Sequence, residues 1–590
     1  MRRDRPESAG LRSFASLGSY VKPHWPKILG GTIFLIIIDL AQIVMPRFIS
    51  QAIDNILTPG KGLSFALIMV GIIVGLGVII AVGRHFWRRW LVGIGIRTTA
   101  NLRRDLLSHL QKLSFSFHDK QQVGDLMAHA TNDLQQVFRA MTFGFIIAVD
   151  ILFMGILTIL AMLFLDWPAT GWLTLYTLIP LAVLGAIIAR FGGLLRKRWK
   201  AEREAYSSMT ARVTENLSGI RVVKAYVQEE GETENFREVS KDYVRKYLKV
   251  IRLWGLFFPL IMFLANIALF LVLLIGGRFV IVADMTVGNF VAYQIYIGML
   301  IWPIIAIGWL MNMIQSGAAS MGRLNKLFET EPEIADDADT LDISEIEGRI
   351  EFKNLDFTYE GMKHPALKDV SFELEPGKIM GIIGTLGSGK STLINLLQRL
   401  YEAPEGSITV DGHDIRRIPL PVLRGAVGMV PQDSFLFSQT IAQNISFGLE
   451  REYSMEEVQQ AAKIAGIHKE ILAFPEGYET MMGERGVTVS GGQKQRLTIA
   501  RAIMAAPRVL ILDDALSAVD ADTEIEILSG LKKIMRKHAV IIISARPRSL
   551  AFADEILVMD EGRIAERGTH DKLLARDGLY ALFAKLQGVK

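Results

Sequence analysis

The chain has 590 residues, 50% of them hydrophobic, with 65 basic and 61 acidic side chains for a net charge of +4. That length allows several domains. Cysteine is absent, which excludes a disulfide framework, a cysteine zinc site and a thiol nucleophile.

The opening, MRRDRPESAG, is charged and lacks the apolar stretch of a cleavable signal peptide. Six apolar stretches then reach the ~20 residues needed to cross a bilayer core of ~30 Å. They run over 28–49, 63–86, 143–165, 171–189, 253–282 and 287–313, the last two separated only by a short turn at 283–286. One such stretch alone reads equally as a buried core helix; six in series read as membrane spans. The short connections hold few basic residues, Lys61 among them. The long ones carry Arg84, Arg88, Arg89, Arg97, Arg103 and Arg104, and then Arg196, Lys197, Arg198, Lys200 and Arg203. Because basic loops stay on the cytoplasmic side, the long connections and both termini are expected in the cytoplasm. Residues 97–142 and 190–252 show helical periodicity and few breakers, so the spans are expected to continue far beyond the bilayer.

Polar residues interrupt the spans: Asp39, Gln42 and Arg47 in the first, Asp150 in the third, Asn266 in the fifth, Gln294 and Asn312 in the sixth. A charge at the bilayer centre costs ~2.5–3.5 kcal/mol, so it should face the bundle interior or water. Asp39 and Asp150 are therefore candidates for a substrate cavity. Hydrogen bonding between helices, or a position near the interface, accounts for them equally well. Phe257, Phe258, Tyr293, Tyr296 and Trp302 either line an apolar pathway or pack between helices and against lipid.

A membrane domain over 1–325 is followed by a polar, acidic linker over 326–347 and a second domain over 348–590, which opens on the strand-like RIEFKNLDFTY. There GTLGSGKST fits G-x-x-x-x-G-K-[ST], between a strand-like run at 379–383 and a helical run at 393–400. In such a phosphate loop Gly384, Gly387 and Gly389 let backbone N–H groups wrap phosphate, with Thr385, Leu386, Ser388 and Thr392 completing the turn. Lys390 reaches the β and γ phosphates, and the Ser391 hydroxyl ligates Mg²⁺. Downstream, the buried-strand pattern at 509–512 ends in Asp513, an acid that holds the Mg²⁺ shell in phosphate-loop NTPases.

Between these motifs stands VSGGQKQRL at 489–497. It is very close to the L-S-G-G-Q signature, and with the flanking motifs the chain resembles ATP-binding-cassette (ABC) transporters of the exporter branch, which handles drugs, lipids and peptides. The resemblance covers essentially the whole chain. It implies an α-helical six-span membrane domain with long cytoplasmic helix extensions, plus a C-terminal α/β P-loop NTPase domain. It also implies coupling helices near 117–126 and 216–225, adenine stacking by Tyr359, and a Q-loop glutamine at Gln432, a catalytic and Mg²⁺-site residue near the water and the membrane contact. Gly483, Glu484, Arg485 and Gly486 match the exporter-type segment ahead of the signature; Ser517, Ala518 and Asp520 match the D-loop. In this family each ATP site takes its phosphate loop from one chain and its signature from another. Ser490, Gly491, Gly492 and Gln493 should therefore act in trans, and one cassette with six spans makes a half-transporter that must dimerise.

The chain departs from the family twice. The acid after Asp513, normally a glutamate acting as general base, is Asp514, one methylene shorter. The residue after the next strand, normally a switch histidine, is Ala545, followed by Arg546 and Pro547. Positioned base catalysis is worth ~10²–10⁴-fold and depends on reach. The expectation is a site that binds ATP and Mg²⁺ well and hydrolyses poorly. The partner would be a second half-transporter with a competent glutamate and histidine and an altered signature. Membrane lipid, a small amphiphilic substrate, no nucleic acid and a bacterial plasma membrane complete the expectation. The alternatives are a homodimeric exporter or lipid flippase with slow hydrolysis, and an ATP-gated channel or regulatory membrane protein.

Overall fold

The computed structural model describes residues 10–58, 63–167, 169–449, 451–483, 489–534 and 538–587. Lys61, Glu484, Arg485 and Gly486 lie outside the described residues, as does the Phe258 side chain. The chain divides into two compact units, one of residues 1–111 and 123–330, the other of 112–122 and 331–590.

The first unit contains six helices long and apolar enough to span a membrane: α1 (Arg12–Leu57), α2 (Ser64–Lys112), α3 (Val123–Leu163), α4 (Thr170–Ser218), α5 (Glu229–Ile281) and α6 (Val287–Glu329). A helix satisfies its own backbone, which is what lets it cross hydrocarbon. Pro46, Pro180, Pro259 and Pro303 lie inside α1, α4, α5 and α6, a placement membrane helices tolerate. Leu67, Val70, Val74 and Val78 are all exposed on α2 and recur at helical spacing, a lipid-facing stripe. Where α6 crosses α3, a Cβ on Gly317 would lie 2.3 Å from that of Ala140; small residues permit such an approach. The turn between α5 and α6 places Ala283 at φ 61°, and Thr286 caps α6 by accepting the Asn289 N–H at 3.1 Å. Helix α6 continues through Glu329, so helix occupies the beginning of the segment 326–347.

Tyr293 and Tyr296 are fully buried. The Tyr293 hydroxyl lies 2.9 Å from Thr174 and 3.1 Å from Thr177 on α4, and that of Tyr296 donates to the Ile43 carbonyl at 2.8 Å. Both pack between helices. Trp302 is exposed and meets Trp309 edge-on at 5.4 Å.

The second unit is built on two sheets. Strands β1 (Ile350–Phe357), β2 (Leu367–Leu374), β4 (Ile408–Val410) and β5 (His413–Asp414) form an antiparallel sheet in the order β2-β1-β4-β5. Strands β3 (Ile379–Gly384), β6 (Val427–Val430), β7 (Val509–Asp513), β8 (Ala539–Ile543), β9 (Glu555–Asp560) and β10 (Arg563–Gly568) form the other, in the order β10-β9-β3-β8-β7-β6. β6, β7, β8, β3 and β9 run parallel. All residues of β7 and β8 are buried, as expected for parallel strands covered on both faces. Because β3, β8 and β7 are neighbours, the loops leaving their carboxyl ends share one edge, the place where open parallel sheets bind ligands.

The same unit includes residues 112–122, part of the first expected coupling segment. Within it the helix Phe115–Lys120 sets Phe115 edge-on to Tyr401 at 5.9 Å, Asp119 accepts from the Tyr401 hydroxyl, and Lys120 pairs with Glu360 at 2.6 Å. The second expected segment, 216–225, belongs to the first unit. It bends at Gly219, continues as Ile220–Ala225, and exposes Leu217 and Val222.

Candidate functional site

The phosphate loop leaves β3 and enters α7 (Lys390–Leu397). Gly384 has no room for a side chain: its Cβ would lie 2.1 Å from the Met559 carbonyl. Gly389 stands at φ 96°, and a Cβ there would meet Leu367 at 2.6 Å. Both positions demand glycine, and together they fold the loop into a cradle at a helix N-terminus, an anion site by its free N–H groups and dipole. Leu386 is fully exposed at the tip, Ser388 is buried, and the Thr385 hydroxyl donates to Asp560 at 3.0 Å. The Lys390 ammonium lies over the loop, donating to the Gly384 carbonyl at 3.0 Å and the Thr385 carbonyl at 2.7 Å. Burial pulls this ammonium below its usual range, opposed by the charges of Asp513 and Asp514.

Asp513 ends β7, buried. Burial raises its carboxyl to about 6, with Asp514 adding to the rise and Lys390 opposing it. A cradle of this shape, a cation within reach of two acids and the exposed Ser391 hydroxyl form a donor set that fits a triphosphate with Mg²⁺ on Ser391 and Asp513. Gln432 is exposed two residues beyond β6. Tyr359 is half-buried; its hydroxyl donates to Thr392 at 3.1 Å, and its ring meets Tyr401 edge-on at 4.9 Å. Tyr401 thus touches both Tyr359 and the helix Phe115–Lys120.

The two departures from the family meet in space. Asp514 lies one residue past β7, at φ 46°. Ser517 Oγ donates to the Asp514 backbone carbonyl at 2.9 Å, and the Asp514 N–H donates to the Ile543 carbonyl at 2.9 Å. Burial raises the pKa of its carboxyl, opposed by the charge of Arg546 and the nearby Ala545 N–H and Ser517. Ala545 itself is exposed, and its carbonyl accepts from Gln587 Nε2 at 2.8 Å. Ala545 therefore offers no side-chain donor.

The signature begins α8 (Gly491–Met504). Ser490 caps it, accepting from the Gln493 N–H at 3.3 Å, while the Gln493 side chain accepts the Ser490 N–H at 2.9 Å; this reciprocal pair is a capping box. A Cβ on Gly492 would lie 2.7 Å from the Ala518 carbonyl, so the signature rests directly on the D-loop. Gln495, unremarked in the sequence, ties the two: its Nε2 donates to Ser517 at 3.0 Å and its Oε1 accepts the Ala518 N–H at 3.0 Å. Its burial inside an otherwise polar motif follows from helical spacing, which turns Gln495 away from the face of Gln493. Asp520 accepts from Thr523 at 3.0 Å at the start of α9 (Ala521–Ile534). Arg546 donates to the Ser517 carbonyl at 2.8 Å and pairs with Glu524 at 3.2 Å.

In the first unit, Asp39 is buried with Oδ2 lacking a partner among the described residues, and Asp150 lies close enough for their charges to interact. A cavity of about 770 Å³ among α3–α6 has Phe257 in its lining, and neither Asp39 nor Asp150.

Comparison with known proteins agrees with this geometry. The family described as ABC transporter transmembrane region matches residues 28–304, and the family described as ABC transporter matches 367–517. The "Probable multidrug resistance ABC transporter ATP-binding/permease protein YheI" of Bacillus subtilis (strain 168) is 39% identical over 96% of both chains. The "ATP-dependent lipid A-core flippase" of Syntrophus aciditrophicus (strain SB) is 30% identical over 97% of this chain and 94% of its own. A solved bacterial Atm1-family ABC exporter with ATP bound superposes with a TM-score of 0.78 at 28% identity, covering 96% of this chain and 99% of the other.

Proposed function

The chain belongs to the ABC transporters and is a half-transporter of the exporter type, and from that premise we propose that it exports amphiphilic molecules as the weak-site subunit of a heterodimer. The coarser activity, ATP-driven export by an integral multi-pass membrane protein, is that of the family. The finer reading rests on one observation: the shortened acid Asp514 and the histidine-less Ala545 follow the carboxyl ends of the neighbouring strands β7 and β8, while the parts that hold nucleotide are intact. Two losses at one point of the site, with none in the cradle, argue for a division of labour.

In this reading Tyr359 stacks on adenine, the N–H groups of the phosphate loop and Lys390 hold the phosphates, and Gln432 stands near the attacking water. Ser391 and Asp513 would hold Mg²⁺, which when bound offsets phosphate charge. Asp514 is one methylene short of the usual base, and Ala545 contributes no side chain to the γ-phosphate, so proton acceptance and water orientation are both weak. The signature of this chain completes the site on the partner's phosphate loop, where most hydrolysis occurs. Nucleotide-driven closure is carried to the spans through the segments near 117–126 and 216–225. The membrane is a bacterial plasma membrane with both termini cytoplasmic.

The test compares purified chain alone with chain co-purified with a second half-transporter, both in liposomes. The chain alone should bind ATP and turn over slowly. Robust turnover by the homodimer would sink the heterodimer reading and favour a homodimeric lipid flippase, to which the 30% identity with the lipid A-core flippase lends support.

A further inference from the structure

The cavity among α3–α6 is lined by three arginines, Arg139, Arg196 and Arg203, and, among the described residues, by no carboxylate. We infer that it binds the head group of an anionic amphiphile, a molecule with a phosphate, sulfonate or carboxylate joined to an apolar body. This names the substrate class of the export reading above and rests on it.

Three features carry the inference. The volume, about 770 Å³, falls in the ~300–1,000 Å³ range of small-molecule sites. The arginines are unneutralised. On the same helix Lys200 pairs with Glu204, and Arg212 with Glu215 and Glu232, whereas among the described residues no carboxylate pairs with Arg139, Arg196 or Arg203. Cations of one sign along a low-dielectric wall focus their field into the cleft, and the guanidinium fork matches phosphate and carboxylate geometry. Finally, one wall is aromatic: Phe191 stacks on Phe257 at 4.6 Å, and Trp254 meets Phe257 edge-on at 5.9 Å. Such a wall takes an acyl chain or ring by burial and by offset or edge contacts. The acids Asp39, buried, and Asp150, half-buried, which would suit a cation, are not in this lining.

The test uses the full chain in nanodiscs and reads quenching of tryptophan fluorescence, Trp199, Trp254 and Trp309 being in the lining. The probes are lysophosphatidic acid, the soluble aromatic anion anilinonaphthalene sulfonate, zwitterionic lysophosphatidylcholine and dodecyltrimethylammonium. At least one anion should bind more tightly than the zwitterion and the cation; binding of lysophosphatidic acid alone assigns a lipid, and of the sulfonate alone a soluble anion. The triple variant Arg139→Gln, Arg196→Gln, Arg203→Gln should lose on the order of tenfold in anion affinity, with ATP binding as the check that it folds. If it does not fold, high salt should weaken anion binding to the unaltered chain. Equal binding of cation and anions, or anion affinity indifferent to both the variant and salt, overturns the inference. ATP-driven transport of cationic amphiphiles with no anion binding would leave export standing and refute this proposal. Anion binding that depends on the arginines, without ATP-driven transport, would do the reverse.

Discussion

The nucleotide site has two sides of different construction. On the holding side, two glycines without room for a Cβ fix the loop, and Lys390 has several oxygens within reach. On the side proposed to cut, Asp514 accepts from Ser517 through its backbone carbonyl at 2.9 Å, and Ala545 carries only a methyl group. Binding a triphosphate needs many fixed donors, and the chain keeps them. Cleaving it needs one base of the right length and one mobile donor, and both positions depart from the family. In the proposed reading, affinity and turnover are separable because they are built on different strand ends, β3 for one and β7 with β8 for the other.

The separation can be broken from the holding side first. Lys390→Ala removes charge-assisted contacts to two phosphates and should lower ATP affinity on the order of a thousandfold, read with a fluorescent nucleotide. From the cutting side, Asp514→Glu with Ala545→His should raise single-turnover hydrolysis in this chain's own site about a hundredfold. An unaltered rate in a folded double variant would acquit both residues.

A smaller effect follows from acidity. Asp513, raised to about 6 by burial, must be ionised to hold a divalent cation. Mg²⁺-dependent ATP affinity should therefore fall by up to about tenfold per unit as pH drops below about 6. The nucleotide-free chain should respond with the opposite sign. A carboxyl raised on folding contributes stability that is present below its unfolded pKa and lost as pH rises through about 6. Thermal melts of the chain between pH 4 and pH 7, with and without nucleotide, separate the two. Smallest is Gln587→Ala, which removes the hydrogen bond to the Ala545 carbonyl. It should cost about 1 kcal/mol or less and speed amide exchange in residues 544–546.

The parts of this organisation visible in the sequence are those encoded locally. The spans announce themselves by length and hydropathy, and the phosphate loop and signature by glycine spacing. What could not be read there depends on long-range contacts. The sequence shows that Asp514 and Ala545 are altered, but their nearness exists only because β7 and β8 are neighbours. Arg196 and Arg203 first served as signs of orientation; their place beside Arg139 in one cavity depends on the facing of four helices. Nothing local says that Gln587 reaches Ala545, or that residues 112–122 belong with the nucleotide unit while the helices on either side of them belong to the other.

One feature of the backbone bears on how such a site is restored. Asp514 occupies the left-handed region at φ 46°, in company with Asn354, Asp369, Asp411 and Asp577, and with longer side chains such as Arg399 and Glu561. Short polar side chains are the non-glycine residues that tolerate this conformation best. Glu561 holds the same angle, so the main chain accepts a glutamate there too, and the Asp514→Glu change lengthens the acid by one methylene without asking the backbone for a new conformation.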